Sequence, residues 1–211
     1  MEENKTYDAF ENLFVGKPRF VNLAIVCINI IVFLMTVTFV NIDLSEAIFE
    51  KYAAYTPDII EGEYYRLFTC MFLHFSITHI FGNMVMILFV GDELESIVGH
   101  LKYFVIAIIS GLCGNIATLV FDCIRGEYPL SAGASGLAYG ILGGMIACII
   151  KNKEKKSVSL KKIIIVTVLM LITDFSTTNI NAIAHLGGLI SGLILGLILK
   201  YANENSVNNN G

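Results

Sequence analysis

The chain has 211 residues, of which 55% are hydrophobic and only 15% are charged, and its mean hydropathy is +0.71. About a quarter of the residues of a soluble domain are charged, so this composition excludes an ordinary soluble domain and indicates a membrane protein. The net charge of −4 does not set the orientation of such a protein, which depends on where lysine and arginine lie.

Membrane-spanning helices are the main predicted elements, since a span needs about 20 predominantly apolar residues. The first apolar run, 20–40, is too long for a signal-peptide core and lacks a small-residue cleavage site after it, so we expect a retained helix. The sequence predicts an all-α bundle of six transmembrane helices at 20–40, 67–90, 101–121, 132–150, 160–175 and 180–199. Residues 1–19 then form a short cytoplasmic segment, 20–200 the membrane domain, and 201–211 an Asn-rich tail that we expect to be disordered.

The positions of the basic residues predict how this bundle is oriented. With a cytoplasmic N-terminus, eleven of the 14 lysines and arginines lie in inner segments, and only Lys51, Arg66 and Arg125 lie outside. The positive-inside rule therefore favours cytoplasmic N- and C-termini and an even number of spans. The basic run at 151–156 is then a cytoplasmic anchor rather than a nucleic-acid patch, and we expect no nucleic-acid partner.

The longest predicted loop, 41–66, lies outside in this orientation. It is acidic but also carries several aromatic side chains, among them Tyr52, Tyr64 and Tyr65. Tyrosine favours the level of the lipid headgroups, so we expect the loop to lean on or into the membrane. A loop of this length is often functional, although it can be a simple spacer.

Four polar residues fall in the outer half of the membrane in this topology. The second, fourth and sixth spans all run from outside to inside. Ser135 lies near the start of the fourth span, and His185 lies about five residues into the sixth, roughly 7–8 Å deep. His79 and Asn83 occupy the first half of the second span, four residues apart and on one helix face. Ionisable groups inside a bilayer indicate a functional site by default.

This set of residues is suited to nucleophilic catalysis. A serine at a helix start has free backbone N–H groups and the positive end of the helix dipole beside it. It also needs a base within hydrogen-bond reach, for which His185 is the candidate. The side chains of His79 and Asn83 are candidate donors to an oxyanion, and Tyr139 is a candidate to pack under the His185 ring.

Structural roles remain open for the same residues. Serines in membrane helices usually bond back to their own helix, and His79 with Asn83 can simply hydrogen-bond neighbouring helices together. Tyr139 can be ordinary packing. Glycines recur every four residues along two spans and favour close helix packing; they are Gly136, Gly140 and Gly144 in span four, and Gly188, Gly192 and Gly196 in span six. Packing alone leaves unexplained why Ser135 and His185 lie beside these two ridges.

Rival chemistries have less support in the sequence. Zinc needs three or four convergent ligands, whereas His79 and His185 lack a convincing third and no HExxH occurs. The five cysteines show no CxxC spacing and are read as small hydrophobic residues. We therefore expect neither a metal nor another cofactor. A transporter would favour internal repeats and midplane charges, which the sequence does not show.

Taken in order, the polar motifs resemble those of the rhomboid intramembrane serine proteases. The resemblance rests on His74 with His79-x-x-x-Asn83, on Gly133-Ala134-Ser135-Gly136 with Tyr139, and on Ala184-His185-x-x-Gly188-x-x-x-Gly192. It covers nearly the whole chain, from about residue 20 to 199. Each motif is modest alone, but all of them in order on the second, fourth and sixth of six spans are specific.

The resemblance implies a Ser135–His185 catalytic dyad without an acidic third member. It implies an oxyanion hole built from the side chains of His79 and Asn83 and the backbone N–H of Ser135. It also implies single-span membrane proteins as substrates, cut near small residues. The loop 41–66 corresponds to the family's membrane-embedded first loop, and the fifth helix with 174–181 corresponds to its gate and cap.

One departure, one residue of open role and one alternative function accompany the resemblance. The family's Trp-Arg pair is Tyr65-Arg66 here, and Glu95 stands where the family carries a carboxylate whose role in this chain is open. The family also contains inactive members, so a silent membrane-protein-binding or quality-control factor is the alternative function. The composition suggests a multi-pass protein of a bacterial plasma membrane, and the sequence gives no oligomeric state.

Overall fold

The computed structural model describes residues 19–37, 42–151, 167, 168, 172 and 180–208. These residues are mostly helical, and their only β-structure is one antiparallel bridge between Ala54 and Ser131. The helices in chain order are α1 Phe20–Val37, α2 Ile42–Tyr52, α3 Thr56–Ile60, α4 Arg66–Thr69, α5 Ile77–Met86, α6 Asp92–Val98, α7 His100–Arg125, α8 Ser135–Lys151 and α9 Ala182–Asn208. A 3-10 turn, Cys70–Phe72, follows α4, and a π-helical turn, Ile87–Gly91, joins α5 to α6.

The described helices match the predicted class of a helical membrane protein. Among the described residues, three segments are long and apolar enough to cross a bilayer, namely Ile77–Val98, His100–Arg125 and Ala182–Leu199. Two shorter apolar helices, Phe20–Thr36 and Ser135–Ile150, occupy the predicted first and fourth spans. The predicted fifth span at 160–175 lies almost wholly outside the described residues, so the count of six stays a prediction.

The interior is formed where α7, α8 and α9 pack against one another. Tyr103 and Ile106 of α7 and Leu137 and Ile141 of α8 are at most 1% exposed. The opposite faces of α7 and α9 carry large exposed hydrophobic side chains, such as Leu101, which is 76% exposed, whereas α8 is buried on nearly every side. Because lipid tails are as apolar as leucine, this outward face is suited to the bilayer, and close packing must hold the helices together.

The two glycine ridges of α8 and α9 meet directly. A Cβ added at Gly188 would overlap the carbonyl oxygen of Gly136, and one at Gly192 would overlap that of Gly140. No side chain fits between the helices at these points, so the two backbones touch. This crossing brings the first turns of α8 and α9 side by side.

The predicted second span, 67–90, had wrong boundaries. The apolar residues before Leu73 form α4 and the 3-10 turn, and α5 begins only at Ile77, where the Ser76 hydroxyl accepts the His79 backbone N–H at 3.1 Å. This N-cap, which hydropathy does not detect, sets the start of the helix.

The same span also continues well past residue 90. Two of its carboxylates are paired: Asp92 forms a 3.2 Å ion pair with Arg19, and Glu95 accepts the Val21 and Asn22 backbone N–H groups at 3.2 and 2.7 Å. Glu95 therefore binds the N-terminal end of α1, where the helix dipole favours a negative charge.

The last helix also departs from the predicted boundary. α9 continues to Asn208, through most of the tail that we expected to be disordered at 201–211. Extending an existing helix adds one hydrogen bond for each residue fixed, and Ala202 and Glu204 are good helix formers.

Candidate active site

Ser135 is the first residue of α8, and the segment before it is held on several sides. Ser131 pairs with Ala54 through backbone hydrogen bonds of 2.8 and 2.9 Å. The Gly133 N–H donates to the Cys70 carbonyl at 2.9 Å. These contacts fix the turn into α8 against the segment before α5. The free N–H groups and dipole of the first turn of α8 favour negative charge beside Ser135.

His74 supports the same turn. Its Nε2 accepts the Ala134 N–H at 3.3 Å, and the side chain is 1% exposed. A histidine near the start of a span can be solvated or line a water path, but His74 is buried and contacts the residue before Ser135. The Nδ1 atom of His74 has no hydrogen-bond partner among the described residues.

Gly133 lies where the backbone, His79 and Asn83 come together. Its backbone φ of +137° is one that residues with a Cβ rarely adopt. A Cβ at this position would lie 2.6 Å from Cε1 and 2.7 Å from Nε2 of His79, and 3.7 Å from Nδ2 of Asn83. Both predicted oxyanion donors therefore lie against the backbone two residues before Ser135.

Asn83 has an amide nitrogen that is ready to donate. The residue is 7% exposed, and its Nδ2 has no hydrogen-bond partner in the described part of the chain. A buried, unsatisfied donor costs about 1–3 kcal/mol, so such a group in a folded protein requires an explanation. An oxyanion formed during a reaction would accept this hydrogen bond.

His185 lies in the first turn of α9 and is stacked on Tyr139. The two ring centroids are 4.5 Å apart with an interplanar angle of 12°, and His185 is 7% exposed. The carbonyl oxygen of Ala184 lies 3.5 Å from where a Cβ on Gly136 would be. The residues that flank Ser135 and His185 along the chain are thus in contact across the glycine crossing.

The first loop is organised around a buried arginine. Arg66 is 4% exposed, and it contacts the carboxylates of Asp58 and Glu63 at 2.6 Å each. It also donates to the carbonyl oxygens of Glu50 and Ala53 at 2.5 and 3.0 Å. Hydrogen bonds from Tyr65 and from Arg66 lower the pKa of Glu63 below its ordinary value.

Tyr65 contacts both partners of the Glu63–Arg66 ion pair. Its hydroxyl donates to Glu63 at 2.8 Å, and its ring lies 5.9 Å from the guanidinium carbon of Arg66. Residue Ala53, held by Arg66, directly precedes the Ala54 bridge to Ser131. The loop is therefore linked through the backbone to the turn that carries Ser135.

The structure also contains a junction that the sequence patterns missed. Asn181, directly before α9, bonds at once to Ser131, Thr118 and Ala184. The only signal in the sequence was an asparagine before a helix start, which is typical of an N-cap.

Within the described residues, no group of three His, Cys, Asp or Glu side chains is placed to hold a metal ion.

Comparisons with known proteins decide the family. The model of the Rhomboid domain matches residues 61–202. The chain belongs to the rhomboid family. It is 36% identical over 142 residues to RHOMBOID-like protein 5 of Arabidopsis thaliana, covering 66% of this chain and 45% of that protein.

Bacterial rhomboids match as well. The rhomboid protease GluP of Bacillus subtilis is 32% identical over 193 residues, covering 90% of this chain and 36% of GluP. The putative rhomboid protease YdcA of the same organism is 30% identical over 151 residues, covering 71% of this chain and 74% of YdcA. The chain thus spans less than half the length of its plant match and of GluP. Family membership and the apolar helices make this rhomboid a multi-pass membrane protein.

Proposed function

We propose that this rhomboid is an intramembrane serine endopeptidase that cleaves single-span transmembrane proteins near the outer membrane face. The observation that carries the proposal is the convergence at Gly133, where His79 and Asn83 lie against the turn into Ser135. The stacking of Tyr139 of α8 on His185 of α9 also supports the proposal.

The proposed reaction begins with proton transfer. His185 removes the hydroxyl proton of Ser135 as its Oγ attacks a substrate peptide carbonyl. The carbonyl oxygen becomes an oxyanion, which accepts hydrogen bonds from the Ser135 N–H and the side chains of His79 and Asn83. His185 then gives its proton to the leaving amine, the C–N bond breaks, and an acyl-enzyme remains.

Water completes the reaction. His185 takes a proton from the water as its oxygen attacks the acyl carbonyl, and a second oxyanion forms in the same position. That intermediate collapses to a carboxylic acid, and the proton returns to the Ser135 oxygen. The stacked Tyr139 ring keeps the imidazole plane fixed through these transfers. The reaction needs no metal or organic cofactor.

Paired variants test the assignment. The purified full chain is reconstituted in liposomes with a panel of single-span substrates, and the products are identified by mass spectrometry. Ser135→Ala and His185→Ala should each lower kcat by at least about a thousandfold, because the nucleophile and base act as one unit. Both variants should still insert, because neither side chain fills the glycine crossing.

Ser191→Ala is the matched control for these substitutions. Ser191 lies in α9 and bonds back to the Gly187 carbonyl at 2.8 Å, so its loss should leave cleavage unchanged. Cleavage by Ser135→Ala at the wild-type rate would show that the nucleophile is wrongly assigned. A wild-type chain that binds these substrates without cutting any of them would support the silent binding factor instead.

A further inference from the structure

Asn181 occupies a junction between the two halves of the proposed dyad. Its Oδ1 accepts the Ala184 N–H at 3.0 Å, which makes it the N-cap of α9. The same oxygen accepts the Thr118 hydroxyl of α7 at 3.0 Å. Its Nδ2 donates to the Ser131 hydroxyl oxygen at 2.9 Å. One amide therefore contacts α7, the start of α9 and the segment that leads into α8.

Each of these partners is itself fixed. Ser131 is paired with Ala54, four residues before Ser135 begins α8. Thr118 is 8% exposed, and its hydroxyl oxygen also lies 3.2 Å from the Gly114 carbonyl oxygen. A Cβ at Gly114 would lie 2.5 Å from the Ala184 carbonyl oxygen, so α7 and α9 are in backbone contact there. Asn181 thus connects segments that are each held by further contacts.

The position of the junction relates it to His185. The His185 N–H donates to the Asn181 carbonyl at 3.3 Å, one turn along the helix. A rotation or slide of the first turn of α9 would move the imidazole away from Ser135 and break the bond to Ser131. Capping α9 requires only Oδ1 of Asn181. The bond from Nδ2 to Ser131 does not stabilise the helix itself but fixes the start of α9 relative to the segment that leads into α8.

We propose that Asn181 is a positioning residue that holds His185 in register with Ser135 through its bond to Ser131. This inference rests on the proposed function and goes beyond it by assigning a residue outside the dyad and the oxyanion hole. A reacting geometry is sensitive to displacements of about 1 Å, which can lower a rate by about a hundredfold. Loss of the bond should therefore lower kcat more than it lowers stability or substrate binding.

Two substitutions separate positioning from capping. Asn181→Ser keeps an N-cap oxygen but is too short to reach Ser131, and Ser131→Ala removes only the other partner. Each should lower kcat by at least about tenfold with KM and the thermal midpoint near wild type. The double variant should be no slower than Asn181→Ser alone, because the bond to Ser131 is already absent in that variant. Asn181→Ala should lower the thermal midpoint as well.

A second readout excludes effects on substrate binding. The rate of Ser135 labelling by a small fluorophosphonate should fall in parallel with kcat in Asn181→Ser and Ser131→Ala, and should stay unchanged in Ser191→Ala. Wild-type kcat in both single variants, or losses that add in the double variant, would overturn the positioning role while leaving the dyad intact. A wild-type chain that neither cleaves nor labels would instead overturn the proposed function, and the positioning role with it.

Discussion

Gly133 combines two requirements that only glycine meets. Its φ of +137° is strained for any residue with a Cβ, and the space where a Cβ would stand is taken by the His79 ring. Gly133→Ala should therefore push His79 away from the turn into Ser135 and lower kcat by at least about a hundredfold. Cleavage kinetics in liposomes measure this loss.

Gly62→Ala is the control for backbone strain. Gly62 has a φ of +115°, but nothing lies within 4 Å of an added Cβ. This variant should lose about 1 kcal/mol of stability and keep its kcat. Equal loss of kcat in the two variants would contradict a specific contact between Gly133 and His79.

At the residue scale, the sequence singled out the candidate reactive residues but not the buried residues that hold the segments around them. Ser135, His185, His79 and Asn83 stood out because polar groups are rare within apolar spans. The buried contact of His74 with Ala134 did not, because a histidine beside a span boundary is equally compatible with solvent. Asn181 was missed because its bonds to Thr118 and Ser131 join residues about 50 to 60 positions away, and no local pattern encodes such pairs.

The crossing of α8 and α9 determines the proposed site at the level of elements. An added methyl group at Gly192 would overlap the Gly140 carbonyl oxygen, so Gly192→Ala must separate the two helices. Overpacking of this kind costs about 1–3 kcal/mol, and we expect a lower thermal midpoint in detergent and reduced cleavage. The variant Gly82→Ala is its control.

Gly82 lies in the interior of α5 with nothing within 4 Å of an added Cβ. Gly82→Ala should leave the midpoint unchanged or raise it slightly, since alanine favours a helix by about 1 kcal/mol over glycine. If Gly192→Ala were as stable as Gly82→Ala, the helix crossing would not be as close as described.

The first loop depends on Arg66 in a comparable way. Its guanidinium satisfies two carboxylates and two carbonyl oxygens at once, which a lysine ammonium cannot do in that geometry. Arg66→Lys should cost about 2 kcal/mol, measured by chemical or thermal unfolding. Arg125→Lys, at an exposed ion pair with Glu127, should cost less than about 0.5 kcal/mol. Similar losses in the two variants would contradict a structural role for the buried arginine.

At the element scale, hydropathy located the helices but not their ends. The start of α5 is set by the Ser76 cap. The span continues past residue 90 into α6, where Asp92 is paired with Arg19 and Glu95 with the first backbone N–H groups of α1. Close packing at each glycine ridge could be anticipated, because small residues every four positions make a groove on each helix. The partner of each ridge could not, because it depends on the tertiary arrangement.

At the scale of the whole molecule, the orientation in the membrane is the main prediction. The positive-inside rule places the first loop outside and the link between α6 and α7 inside. In a background without the native cysteines, Glu61→Cys should react with a membrane-impermeant maleimide from outside in intact cells. Ser96→Cys, also at an exposed position, should react only after the membrane is opened. The reverse pattern would place the proposed site in the inner half of the membrane.

The central claim is that Ser135 is a nucleophile activated by His185. The most direct measurement treats the reconstituted full chain with a fluorophosphonate and locates the adduct by peptide mass spectrometry. A single adduct on Ser135, lost in His185→Ala and kept in Ser191→Ala, is the predicted result. An adduct on another residue, no adduct at all, or wild-type labelling of Ser135 in His185→Ala would contradict the claim.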